Sequence, residues 1–209
     1  MANTSHPSIV CPMCGKRFPV AVHDFISAEE NPDLRASLLD GSLFTAVCPY
    51  CADVVDLFYP CMYRDEKHRY FVYLTDEEEG RHIFDSLPPS VVRHRVVSDA
   101  NQMREKIVLF DAGLDDRAVE VMKLIRLESL RTRNPGIPIQ ALYYDPQDGF
   151  AVYGEDEKLG TIRFDPKLYE AVEEQIIGRL EDTFPEQVII DADWARQVYK
   201  PGAMFLRMI

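Results

Sequence analysis

Two stretches carry the chemistry of this chain. Cys11-Pro12-Met13-Cys14 and Cys48-Pro49-Tyr50-Cys51 repeat one pattern, C-P-x-C, with 33 residues between Cys14 and Cys48. Two cysteines separated by two residues place both sulfurs on one side of a tight turn. Two such turns facing each other supply the four thiolates of a tetrahedral Zn²⁺ site. Cys11, Cys14, Cys48 and Cys51 are therefore predicted to bind one Zn²⁺ per chain. Four protein ligands leave no open coordination position, so the expected metal is structural and activates no water.

A second chemistry competes for the same residues. Cys48-Pro49-Tyr50-Cys51 has the four letters of the glutaredoxin active-site motif, in which one cysteine of lowered pKa attacks disulfides. That chemistry needs a helix opening at the motif, because the helix amino end stabilises the thiolate. Here Ala52 to Tyr59 reads as strand, and redox does not explain why the motif occurs twice. Cys61 stands outside the pairs and reads as a small buried hydrophobe. His23, His68, His82 and His94 lack ligand-like spacing. Glu77-Glu78-Glu79 reads as a solvated loop, and Asp115-Asp116-Arg117 as a helix cap with Arg117 reaching Glu120 or another carboxylate. The chain contains no Gly-rich phosphate loop, G-x-S-x-G elbow or H-E-x-x-H helix, so nothing in it supports an enzyme.

Charge narrows the partners. The 35 acidic and 23 basic residues give a net charge of −12 and a pI near 4.8, a field that repels phosphate backbones unless a local patch reverses it. Two modest basic groups offer such a patch: Arg64, Lys67, His68 and Arg69, and then Arg126, Arg131 and Arg133. A protein partner is favoured, with a nucleic-acid-binding ribbon as the alternative. Five cysteines, four of them in metal-type pairs, suit a reducing compartment better than a disulfide framework. The first residues lack the pattern of a secretory signal, and no run approaches the ~18 apolar residues of a membrane span. A cytoplasmic protein without a membrane role is expected.

The elements that must position the cysteines follow from periodicity. Gly15 supplies the backbone freedom a ligand turn needs, Phe18 is placed to cover the metal, and Val20 and Val22 alternate as a strand face. Lys16 and Arg17 either offset thiolate charge or form a solvated pair. Residues 27–40 read as a helix with Pro32 near its start and Gly41 at its end, inserted between the two cysteine pairs. Strands are predicted over 43–47 and 54–59, the latter pairing with Arg69 to Leu74 across a turn at 64–67. An acidic break at 76–80, a loop at Pro88-Pro89 and a strand over 91–97 precede a helical hairpin. Its first helix runs from Ser98 or Asp99 to Phe110, its second from Asp115 to about Arg131. After Asn134-Pro135-Gly136 come a meander (139–144, 149–153, 158–164) and a helix from Asp165-Pro166 to about Asp182. The apolar end, with Val188 to Ile190, Trp194 and Met204 to Leu206, is expected to dock on its own chain or on a second copy, giving a homo-oligomer.

The fold class expected is α+β: a zinc-ribbon-like antiparallel sheet with a helical insertion and a helical hairpin over 1–133, then a β-meander plus helix over 134–209. Both C-P-x-C pairs, Gly15 and Phe18 after the first, the approach Leu39-Asp40-Gly41-Ser42-Leu43-Phe44, then Tyr59-Pro60 and Tyr63-x-Asp65, resemble the CpXC domain of bacteria and archaea. The similarity continues through Arg104-Glu105-Lys106-Ile107 and Gly113-Leu114-Asp115-Asp116-Arg117, covering roughly Ile9 to Arg131. The resemblance implies a cysteine-rich, metal-binding domain with Cys11, Cys14, Cys48 and Cys51 at its motif positions, and brings no activity with it. Ala52 departs from the pattern, standing where the first turn has Gly15. The expected role is a structural-zinc protein that serves as an interaction scaffold or adaptor.

Overall fold

The alternation of strand and helix signals produces the expected α+β architecture, with several small antiparallel sheets. The computed structural model describes residues 4–75, 93–155, 157–180 and 188–199. The acidic break at 76–80, His82, Pro88-Pro89 and the end from Lys200, including Met204 to Leu206, lie outside the described residues. Contacts divide the chain into two units, Met1–Arg104 and Glu105–Ile209.

The first unit contains β1 (Thr4–Ser5), β2 (Ser8–Val10), β3 (Arg17–Pro19), β4 (Val22–His23), β5 (Phe25–Ser27), α1 (Pro32–Asp40), β6 (Thr45–Val47), β7 (Val54–Asp56), β8 (Cys61–Asp65), β9 (Tyr70–Leu74) and β10 (Arg93–Val97). Three two-stranded antiparallel ladders, β1 with β4, β2 with β3, and β6 with β7, stand apart from a four-stranded sheet of order β10-β9-β8-β5. Pro32 opens α1, where a missing N–H costs nothing. Gly41 closes it at φ 88° with its N–H donating to the Leu38 carbonyl.

Two expectations are corrected here. The partner of β9 is β8, with Tyr63 opposite Val72, while residues 54–56 pair back onto β6. Pro60 has no N–H to continue a ladder, so it ends the run from Val54 and the strand restarts at Cys61. The larger sheet is also mixed, since β5 on β8 and β10 on β9 are parallel. Its inward row alternates as the pleat demands, with Cys61, Tyr63, Tyr70, Val72 and Leu74 buried.

Glu29 ties the β8–β9 turn to the start of α1. Its carboxylate accepts from the amides of Glu66 and Lys67 at 3.0 and 3.1 Å and from the Ser27 hydroxyl at 3.1 Å. Desolvation raises the Glu29 pKa, but these donors outweigh it and hold the carboxyl below its usual 4.5. A depressed folded pKa contributes stability above the unfolded value that is lost as pH falls through the folded one. Carbon-detected NMR titration is expected to place the Glu29 midpoint below 4.5, and the stability gap between the parent and Glu29→Gln to shrink below that midpoint.

The second unit holds most of α2 (Ala100–Asp111), then α3 (Asp116–Arg133), β11 (Ala141–Asp145), β12 (Gly149–Tyr153), β13 (Lys158–Ile162), α4 (Pro166–Val172) and α5 (Ala192–Val198). Asp115 caps α3 by accepting from the Arg117 amide, and Asp165 caps α4 through the amides of Lys167 and Leu168. The helix begun at α4 continues as a π-type turn over Glu173–Ile177 and a last α-turn over Gly178–Leu180. The meander has the expected order and lies on α3 through Leu127, Ile139, Leu142 and Val152. The apolar segment docks as α5 on α3, burying Trp194 to 3% exposure.

Charged side chains form part of this core. Lys106 is 2% exposed, and its Nζ lies 3.0 Å from Asp116 Oδ2 and 3.4 Å from Glu120 Oε1, and donates to the Ile190 carbonyl at 2.7 Å. Lys123 joins Glu120 at 3.0 Å and Glu105 at 2.7 Å, while Glu105 accepts from the Tyr144 amide. Burial pushes the Glu105 carboxyl up despite the opposing pull of Lys123.

Candidate metal centre

Each cysteine pair sits in the turn of a short hairpin, and the two turns are built alike. The Cys11 N–H donates to the Lys16 carbonyl at 3.0 Å and the Gly15 N–H to the Cys11 carbonyl at 2.9 Å. At the same offsets, the Cys48 N–H donates to the Asp53 carbonyl at 2.8 Å and the Ala52 N–H to the Cys48 carbonyl at 2.9 Å. Both turns require a left-handed residue at the position after the second cysteine, Gly15 at φ 70° and Ala52 at φ 61°. The alanine therefore keeps the shape of the turn and carries strain that glycine does not. Ala52→Gly is expected to raise stability by up to ~1 kcal/mol, the strain relieved less the extra freedom of glycine in the unfolded chain. Urea denaturation measures it, and a loss of stability would mean that Ala52 is unstrained.

The two turns bring four sulfurs within 4.8 Å of one another. Cys11 Sγ lies 3.6 Å from Cys51 Sγ, and Cys14 Sγ lies 3.7 Å from Cys48 Sγ. A tetrahedron of thiolates about 2.3 Å from a central Zn²⁺ has edges of about 3.8 Å, so the donor set has the size and chemistry of a metal site. All five cysteines are free thiols.

The electrostatics point the same way. Burial raises the Cys48 thiol, but donation from the amides of Tyr50 and Cys51 and from the thiols of Cys51 and Cys11 outweighs it, taking Cys48 down to about 7. The Asp53 amide lowers Cys51, yet burial and the neighbouring sulfurs of Cys48, Cys11 and Cys14 drive it up to about 12. The first thiolate in the cluster thus forms readily and the next is resisted by it. A cation among the sulfurs removes that repulsion.

Cys11 and Cys48 are buried, Cys14 is half-buried and Cys51 is exposed, so the cluster is sheathed on one side only. Phe18 and Val20 pack with Cys11 and Cys48, joined by Ile9, Val22, Ala46, Val55 and Leu57. Phe18 does cover the cluster as its position suggests; the remainder of the sheath was signalled only by alternation along the hairpin strands. Lys16 lies over the Tyr50 ring, 4.8 Å from its centroid, linking one turn to the other.

The other candidates lie outside the cluster. Cys61 is buried in β8, where burial and then Asp24 push its thiol up to about 12. His23 bonds Thr4, His68 bonds Asp65 at 2.8 Å, and His94 stacks on Phe71. The basic group at the β8–β9 turn is offset locally, with Arg64 3.1 Å from Glu66 and 3.9 Å from Glu30. In the second group Arg126 pairs with Asp165 at 2.6 Å and Arg131 donates to the Ile139 and Gln140 carbonyls. Arg117 pairs with Asp115 at 2.6 Å. Among the described residues no helix is long and apolar enough to cross a membrane.

The site these elements build is a four-thiol cluster held by two equivalent C-P-x-C hairpin turns. The family model described as CpXC protein matches residues 9–123, more than half of the chain, and the protein belongs to the CpXC family. Neither a search of curated proteins nor one of solved structures returned a significant match.

Proposed function

We propose that Cys11, Cys14, Cys48 and Cys51 hold one structural Zn²⁺ and that the protein acts as an interaction scaffold for another protein. The observation that carries the metal assignment is the convergence of two equivalent turns on sulfurs 3.6 and 3.7 Å apart across the cluster. The zinc supplies a fourfold cross-link and no open coordination position. The chain's own part is to hold the hairpins in register, donate amides to Cys48, and keep water from Cys11 and Cys48 behind Phe18. Against thiol exchange, the residues after Cys51 form β7, so no helix amino end faces that motif.

A scaffold role is supported by what surrounds the cluster. Val10, Met13, Val47, Tyr50 and Val54 are each more than half exposed on the two hairpins, where a free-standing surface ordinarily carries polar groups. The net charge of −12 and the local pairing of Arg64 and Arg126 favour a protein over a nucleic acid. Elemental analysis of protein purified without added metal is expected to find one zinc per chain with the four paired thiols unreactive. Metal-free protein with one hyper-reactive thiol overturns the assignment in favour of redox chemistry. Gel shifts at low salt that weaken when Arg64, Lys67 and Arg69 are neutralised speak for nucleic acid instead.

A further inference from the structure

The four sulfurs of the cluster are not equally protected. Cys11 and Cys48 are buried in one apolar group with Phe18 and Val20, and Cys14 packs against it. Of the four, only Cys51 lies outside that sheath, and it is exposed. The unevenness follows from two hairpins that match in backbone and differ in side chains. At the same offset from its cysteine pair the first hairpin buries Phe18, whereas the second presents Val55, smaller and half-buried. Pro49, Tyr50 and Ala52, around Cys51, are exposed with it.

An exposed sulfur matters here because of what stands behind it. Cys51 Sγ lies 3.6 Å from Cys11 Sγ, within a group of four sulfurs that all lie within 4.8 Å of one another. A disulfide bond is about 2 Å long, so an approach of about 1.5 Å joins Cys51 to Cys11. Cys61, 3% exposed in β8, offers an oxidant no such access.

We infer that Cys51 is the site at which a peroxide opens the cluster, with Cys11 as its partner. The two hairpins are then cross-linked under reducing conditions and released under oxidising ones. The inference rests on the four-thiolate reading and supplies its regulation. The Cys51 thiolate attacks one peroxide oxygen, the O–O bond breaks, and a sulfenic acid forms on Cys51 as one hydroxide leaves. The Cys11 thiolate then attacks the Cys51 sulfur, so that the S–S bond forms, the S–O bond breaks and a second hydroxide departs. Each sulfur has given up one electron, and the peroxide has taken both. Only Cys14 and Cys48 remain as thiolates, too few to close a tetrahedron around the ion. Metal binding damps the nucleophilicity of a thiolate but keeps it deprotonated. The filled site therefore resists thiol reagents and yields slowly to peroxide, at the one sulfur in contact with water.

The test treats the 209-residue chain as purified, its zinc content already measured, with less than one equivalent of hydrogen peroxide. Dimedone traps the sulfenic acid, and mass spectrometry is expected to find the label on Cys51. Without dimedone, a Cys51–Cys11 disulfide is expected together with release of zinc to a chelating dye. Dithiothreitol and added zinc are expected to restore the parental metal content. Cys51→His keeps a four-ligand set that structural zinc accepts and removes the oxidisable sulfur. It is expected to slow peroxide-driven release about tenfold or more, while Cys14→His changes the rate less than about twofold. Trapping on the parent protein decides the matter even where Cys51→His takes up no zinc. A first label on another cysteine, a first disulfide between any other pair, or zinc retained in excess peroxide each overturn the inference. Zinc-containing protein that resists peroxide overturns only the switch; zinc-free protein as purified overturns the metal assignment instead.

Discussion

Cys48→Ser is expected to unfold the two hairpins of the first unit and to release the metal. Cys48 is buried to 1% exposure in the apolar sheath, and its sulfur accepts from two amides of its own turn, so a serine there is both a poorer ligand and a buried hydroxyl. Zinc binding in small cysteine sites is worth about 10–16 kcal/mol of apparent folding energy, as large as the ~5–15 kcal/mol stability of a whole domain. Most of that energy is forfeited when one of four thiolates is lost. Cys61→Ser is the control, because Cys61 is as deeply buried but lies in β8 outside the cluster. It is expected to cost about 1–3 kcal/mol and to leave metal content unchanged. Zinc content and melting temperature read both variants, and a Cys48→Ser protein with parental values of each would end the four-ligand assignment.

Lys106→Met carries the second large effect. The ammonium stands between Asp116, fully buried, and Glu120, 5% exposed, and bonds the Ile190 carbonyl before α5. Methionine keeps the stem but leaves two buried carboxylates without that ammonium, a loss of about 3–5 kcal/mol. Arg196→Met breaks a pair with Asp193 that is exposed on both sides, and is expected to cost only about 0–1 kcal/mol. Trp194, the one tryptophan, lies on α5 and reports detachment of that segment by its fluorescence. Equal costs for the two variants would show that the buried network is no stronger than a surface pair.

What the sequence disclosed depended on how local each signal was. The cysteine turns announce themselves because spacing and ligand type are fixed within four residues, and α1, α3 and α4 because Pro32, Gly41, Asp115 and Asp165 mark their ends. Strand pairing was less legible. Residues 54–59 and 61–65 are both rich in strand formers, and only Pro60 between them tells which one β9 can pair. The parallel additions of β5 and β10 join segments distant in the chain and leave no local mark. Asp116 shows the limit of reading charge. Beside Asp115 it looks like a second capping acid, yet it is wholly buried against Lys106, one helix earlier.

Separating the two halves of the cluster by 34 positions gives its assembly a timetable. At about 5–20 residues per second, a ribosome takes roughly 2–7 s to add the second pair after the first. For that interval Cys11 and Cys14 are a lone dithiol with no opposite sulfurs, open to oxidation or to capture by a softer ion. The proposed metal site therefore needs nascent thiols that stay reduced for longer than a ribbon of ordinary spacing requires.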